Sequence, residues 1–257
     1  MLLWCLIGLS HVHLVLSAAI PLSASTGQGE VGWRRVSESP LVLVHEKFFS
    51  KEECEELMQI ALESGRMQEA LVYSGHRKDA FQRDDQVRSN SHMYVEREDE
   101  LKSSLLQRVI ARMHHAAKIP ERLGEKLQIA RYQEGERYEM HHDSGPEVGR
   151  ARPATLLVYL NDVEKGGETV FPLTREVLLQ CRPIHHQGDQ VRYGVDHCCH
   201  VQPPELLTIQ ARQGRAVLFF NHLDGKKDAR AVHASCPVLA GQKWVAQRWF
   251  QFEKTDL

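Results

Sequence analysis

Leu127-Gln-Ile-Ala-Arg-Tyr132, followed by Tyr138-Glu-Met-His-His-Asp143, is where the chain changes character. Upstream of it the pattern is helical. Ser50-Lys-Glu-Glu53 reads as a capping box, in which the Ser50 hydroxyl accepts from the Glu53 N–H and the Glu53 carboxylate reaches back, opening a helix to about Ser64 and Gly65. A second helix is expected from about Arg97 to Lys118, where Leu101, Leu105, Val109 and Met113 recur every fourth residue as one buried stripe. From Leu127 onward, short β-rich runs alternate with Gly, Pro and Asp, among them 155–160, 216–220 and 243–252. Strand after strand with turns between them predicts a mainly β protein, a double-stranded β-helix or jelly roll, with the two helices bracing one face of a sheet.

The same stretch carries chemistry. On a strand, side chains at i and i+2 share a face, so the imidazole of His141 and the carboxylate of Asp143 can grip one metal ion while His142 points the other way. His233, in Val232-His-Ala-Ser-Cys-Pro237, supplies a third ligand from a distant strand. Two His and one carboxylate on one face of an octahedron leave three positions open, the donor set of non-haem Fe(II) oxygenases. A bare His-x-Asp is common by chance. What raises its weight is the surrounding text.

From about Val42 to Phe252 the chain resembles the prolyl 4-hydroxylase branch of the Fe(II)/2-oxoglutarate dioxygenases. The segment from Leu127 to Asp143 is similar to that family's first metal segment. Arg152-Pro-Ala-Thr-Leu-Leu-Val-Tyr-Leu160 with Gly166-Gly-Glu-Thr-Val-Phe-Pro172 resembles its central signature, and Gly214-Arg-Ala-Val-Leu-Phe-Phe220 with His233 through Trp249 resembles its last two strands. The resemblance implies Fe(II) held by His141, Asp143 and His233, with 2-oxoglutarate and O2 as co-substrates and ascorbate as support. Lys243, ten positions after His233, is implied as the cation for the distal carboxylate of 2-oxoglutarate. Tyr132 and then Thr169 are implied as further contacts. Related lysyl hydroxylases carry Arg at that point, so Lys243 argues for the prolyl branch. Arg88-Ser-Asn-Ser-His-Met-Tyr94 resembles the family's Arg-x-Ser segment over bound peptide, and Tyr138, Arg152 and Trp249 match positions lining the peptide groove. Aromatic platforms suit a Pro-rich peptide, because a polyproline II chain is already extended. The bland readings are that Tyr138 and Trp249 are core and Arg88 a solvated charge. The expected activity is peptidyl-prolyl 4-hydroxylation. Its rivals are the same chemistry on lysine or a small molecule, and a non-catalytic jelly-roll binding module. Loss of a triad residue or of Lys243 would have favoured the module, and all four are present.

Length and composition are compatible with one such domain: 257 residues, 42% hydrophobic and 26% charged. A net charge of -2 offers no basic face for nucleic acid. Residues 1–19 are apolar and end in small residues, which reads as a cleaved signal peptide, although the run lacks a basic start and an uncleaved anchor is the alternative. Membrane contact is expected only for the anchor. His142-Asp-Ser-Gly-Pro146 is also similar to the family's membrane-anchored animal relative, which keeps that topology open. Residues 20–40 read as a linker and 41–253 as the dioxygenase domain. With no room for a separate peptide-binding domain, an obligate disulfide-isomerase subunit is not expected. Secretory entry makes Cys54, Cys181, Cys198, Cys199 and Cys236 disulfide candidates, an odd number that leaves one thiol over. Cys181 with Cys198 or Cys199 could staple a Cys- and His-containing insertion at about 173–205. A second metal cluster from His185, His186, His197, Cys198, Cys199 and His200 is the competing use of that segment. Residence in the endoplasmic reticulum, lumen or membrane, is expected mainly from the family, because the terminal Lys254-Thr-Asp-Leu257 only loosely echoes a retrieval signal.

Overall fold

Period-two alternation sorts the strand residues between two cores. In the strand Gln128–Tyr132, Ile129 packs outward with helical side chains, while Ala130 and Tyr132 face the other sheet. Leu156 and Val158 alternate in the same way with Tyr159, and Ala246 with Val245. The computed structural model describes residues 32–73, 81–82, 84, 87–145, 151–180, 183–187 and 190–252. Eight strands build the double-stranded β-helix. Gln128–Tyr132, Ala154–Tyr159, Ala216–Phe220 and Lys243–Trp249 lie in the major sheet, while Tyr138–His141, Thr169–Pro172, Leu206–Ile209 and His233–Ser235 form the minor one. Every pairing between them is antiparallel. Four further strands, Arg34–Glu38, Leu41–His45, Gln68–Glu69 and Ser91–Tyr94, widen the major sheet to eight.

The helix Lys51–Glu63 begins as expected, with the Ser50 capping box formed in both directions, 3.2 and 3.0 Å. Arg112 holds the other side of the Glu53 carboxylate in a two-pronged contact, 2.8 and 2.7 Å, and so ties this helix to the next. Leu57, Leu105 and Met113 are fully buried against the outer face of the major sheet, each worth roughly 1.5–3 kcal/mol of burial. The second helix departs from its expected form. It breaks at Ser103 into Arg97–Lys102 and Ser104–Ala117, because the Ser103 hydroxyl accepts from Leu106 N and starts a new helix in extended backbone. Leu101, expected in the buried stripe, falls on the wrong side of that break and is 63% exposed.

Two further expectations are corrected. Residues 20–40 are not all linker, since Arg34–Glu38 pairs with Leu41–His45 at the sheet edge. The insertion is more regular than its composition suggested, with helices Arg175–Gln180 and Val195–Val201 flanking a hairpin of Pro183–Gln187 and Gln190–Tyr193. Cys199 is bonded to Cys236, and Cys198 is also in a disulfide. Neither is therefore free to act as a thiolate ligand in the competing metal cluster. The expected Cys181 pairing, the side chains of His185 and His186, and residues 1–19 lie outside the described residues. Cys54 is a buried free thiol, pushed up to about 12 by burial. No helix among the described residues is long and apolar enough to cross a membrane.

Candidate active site

The register of two minor-sheet strands brings His141 and His233 side by side as Cα partners. Asp143 follows two residues after the first strand. Among the described residues, these three form the one group of His, Cys, Asp and Glu whose ligand atoms converge, all within 4.8 Å. His141 Nε2 lies 3.5 Å from Asp143 Oδ1 and His233 Nε2 lies 3.7 Å from Asp143 Oδ2. Each imidazole is turned by the carbonyl two residues before it, with His141 Nδ1 donating to Glu139 O at 2.7 Å and His233 Nδ1 to Ala231 O at 3.1 Å. A carbonyl can only accept, so Nδ1 carries the proton in both rings. Both Nε2 lone pairs are left for a cation. Burial lowers His233 to about 3, which keeps it neutral and able to ligate. Burial by itself would raise the Asp143 carboxyl; a charge on His233 or His141 would lower it, and the Arg152 guanidinium lowers it whichever form the rings take. Two neutral imidazoles and one carboxylate fit Fe(II). His142 serves the scaffold, bonding Asp228 O through Nε2 and accepting Ser144 N–H at Nδ1.

Lys243 lines the same cavity as the triad, together with Tyr132, Tyr138, Thr155, Thr169 and Ser235. It is 1% exposed, and among the described residues its ammonium makes one hydrogen bond, to Ser235 Oγ at 2.7 Å. Nζ also stands 5.2 Å from the centre of the Tyr132 ring, its Cα partner across the sheet, and 5.5 Å from that of Tyr159. Burial lowers it to about 7. A buried cation with one neutral partner is a place for an anion. Thr169 is engaged, accepting from Tyr159 Oη at 2.7 Å. Gly166 and Gly167 turn the chain past Lys243 at positive φ, and a Cβ at Gly166 would sit 2.2 Å from Pro237 O. A separate hollow of about 240 Å³ beside Gln68, Ser91 and Arg131 contains none of these groups.

The residues assigned to the peptide divide. Tyr138 lines the cavity and stacks flat on His141, with ring centres 3.6 Å apart, and Arg88 covers its ring at 4.6 Å. Arg88 is not a solvated charge. It is buried and donates to Asn90 Oδ1 and Gln128 Oε1. Arg88, Arg152 and Trp249 do not line the cavity around the triad. Arg152 forms a two-pronged ion pair with Glu125, 2.6 and 2.8 Å, while reaching Asp143 O at 3.3 Å and lying over Trp249 at 4.4 Å. Trp249 is buried, and among the described residues its indole N–H has no partner.

Sequence reasoning missed several neighbours. Ser235 faces Lys243, and Thr155 donates to Asp143 Oδ2 at 2.7 Å. Glu139 is a buried carboxylate that accepts Val195 N–H at 2.7 Å and Arg137 Nε–H at 2.9 Å, which docks the insertion on the His141 strand. Thr155 and Ser235 had a usable signal, since strand alternation puts Thr155 on the face of Tyr159 and Ser235 on that of His233.

The jelly roll with this triad defines the class of Fe(II)/2-oxoglutarate oxygenases, and the family model for the 2OG-Fe(II) oxygenase superfamily matches residues 127–251. Among curated proteins, Probable prolyl 4-hydroxylase 7 of Arabidopsis thaliana is 33% identical over 229 residues, covering 86% of this chain and 66% of that protein. Probable prolyl 4-hydroxylase 6 of the same plant is 33% identical over 226 residues, 84% and 70% of the two chains. In fold, the viral collagen prolyl hydroxylase from Paramecium Bursaria Chlorella virus-1, solved as its 2-oxoglutarate complex, superposes with a TM-score of 0.52 at 21% identity, over 81% of this chain and 94% of that one. The chain belongs to the prolyl 4-hydroxylase family of Fe(II)- and 2-oxoglutarate-dependent dioxygenases, which hydroxylate proline.

Proposed function

We propose that this protein 4-hydroxylates proline in Pro-rich peptides or proteins of the secretory pathway, with ascorbate sustaining turnover. The observation that carries the reading is the single cavity that holds both a convergent His141, Asp143, His233 set and a buried, under-partnered Lys243. Iron in the triad supplies the redox chemistry by which 2-oxoglutarate, O2 and a prolyl residue become succinate, CO2 and hydroxyproline, one oxygen atom going to succinate and one to proline. The chain's own part is orientation. Lys243 pairs with the distal carboxylate of 2-oxoglutarate, where burial and the exclusion of water strengthen the contact. Tyr132 beside it closes that part of the cavity, and Tyr138, stacked on His141 under the Arg88 guanidinium, offers an aromatic surface next to the metal for a proline ring. Support for a peptide substrate comes from the Trichoplax adhaerens prolyl hydroxylase, solved with a hypoxia inducible factor peptide fragment and similar in fold at a TM-score of 0.51 and 18% identity. Secretory entry is supported by the apolar residues 1–19 and by the Cys199–Cys236 disulfide. The test is 2-oxoglutarate turnover with Fe(II), with and without Pro-rich peptides, followed by mass spectrometry of the peptide. Turnover that rises with the peptide and places oxygen on proline is expected. Oxygen on lysine, or turnover indifferent to every Pro-rich peptide, would overturn the prolyl assignment.

A further inference from the structure

Asp143 is the one member of the triad outside a strand, so no ladder fixes its carboxylate. What holds it comes from the opposite sheet. Thr155 Oγ1 donates to Asp143 Oδ2 at 2.7 Å, and Thr155 sits in the Ala154–Tyr159 strand, paired on one side with Phe219 and on the other with Trp249. Behind it, Asn221 Nδ2 donates to Thr155 Oγ1 at 3.3 Å. Asn221 is fully buried, and its backbone is pinned on both sides, N–H to Pro153 O and C=O to Asp228 N–H.

The order of donors in this chain is forced. An ionised carboxylate only accepts, so the single Thr155 proton goes to Asp143, and the group behind the hydroxyl must then be a donor. The amide of Asn221 supplies that donor. Among the described residues its own Oδ1 is buried without a partner, a cost the fold bears at this position.

We infer that Thr155, backed by Asn221, is the positioning residue that sets the orientation of the Asp143 carboxylate toward the metal. This rests on the iron reading of the triad. Outer-shell partners of this kind orient a ligand before the ion arrives. Without the hydroxyl, the carboxylate is free to swing away from the two Nε2 atoms.

The test uses the full-length protein stripped with EDTA and titrated with Mn2+, the free ion being read by electron paramagnetic resonance. Thr155→Val keeps shape and removes the hydroxyl, and it is expected to weaken Mn2+ binding by about 10- to 100-fold, while Thr155→Ser stays within about threefold of wild type. Because Thr155→Val leaves the Asn221 amide unpaired, the metal-free melting temperature is measured in parallel. The double variant Thr155→Val/Asn221→Leu removes both polar partners and is expected to recover that melting temperature without recovering metal affinity. A structural role would move affinity and melting together. Thr155→Val binding within about twofold of wild type, or Thr155→Ser as weak as Thr155→Val, overturns the inference while the iron site stands. Wild-type protein that binds no Mn2+ at all overturns the iron reading itself.

Discussion

Replacing Lys243 with Met should stabilise the metal-free protein while disabling it. Burial brings the Lys243 ammonium from the roughly 10.4 of free lysine down to about 7, and at pH 7 that displacement corresponds to on the order of 4 kcal/mol against the fold. The sign follows from proton counts. Between about pH 7 and 10 the unfolded chain holds the proton that the folded chain sheds, so stability from this group rises with pH across that window, and below it the full penalty applies. Met fills nearly the same volume without charge, at the loss of the Ser235 hydrogen bond, worth about 1 kcal/mol. A net gain of about 1–3 kcal/mol is expected below pH 7. Urea unfolding of both proteins at pH 6.5 and 9, without 2-oxoglutarate, reads it: the variant should lead at 6.5 and the gap should narrow at 9. The same variant should bind 2-oxoglutarate about 10- to 100-fold more weakly, since it lacks a charge-assisted contact of about 1.5–3 kcal/mol. A variant less stable than wild type at pH 6.5, or a gap that ignores pH, would refute the reasoning by showing that an anion already neutralises Lys243.

Two stability predictions accompany it. Cys199→Ser opens a crosslink between residues 37 apart in sequence and should cost about 4 kcal/mol on the chain-entropy relation, seen as a lower urea midpoint. Gly166→Ala, at φ +79 with its Cβ meeting Pro237 O at 2.2 Å, should lower the melting temperature clearly more than Gly135→Ala, at φ +82 with nothing within 4 Å. Both share the left-handed backbone penalty of about 1–2 kcal/mol, so their difference isolates the contact with the loop beside Lys243. Equal effects would show that the Gly166 turn relaxes freely.

The triad was legible because it needs only short spacing and order: His141 and Asp143 stand two residues apart, read as one strand face although the strand stops at His141, and a third His lies in a second β-rich segment. The jelly roll was legible for a similar reason, since its strands are short, apolar and punctuated by turns. The Ser103 break was not, because the four-residue recurrence of Leu101, Leu105, Val109 and Met113 is the same for one helix as for two, and only the pair Ser103-Ser104 hints at a new cap. The edge strand Arg34–Glu38 carries mostly exposed polar residues, so it lacks the hydrophobic signal by which strands are read.

The substrate residues show where such reading stops in physical terms. Alternation from Lys243 puts Gln247 and Trp249 on its face of the strand, and Gln247 does line the cavity. Whether the next side chain along that face is available to a ligand depends on what approaches it from elsewhere. Glu125, 27 positions before Arg152, draws its guanidinium into a two-pronged ion pair and over the Trp249 ring. That guanidinium also donates to the Asp143 carbonyl, so a charge matched by resemblance to peptide recognition bears first on the backbone of Asp143 itself. Glu139 makes the same point for the insertion. Its carboxylate sits within the His141 strand yet is used 56 residues later by Val195 N–H, while Cys199 is bonded to Cys236 just past the His233 strand. The insertion is thereby fastened to both histidine-bearing strands by contacts that no local pattern announces, and its helix Val195–Val201 belongs to the frame of the site rather than to its periphery.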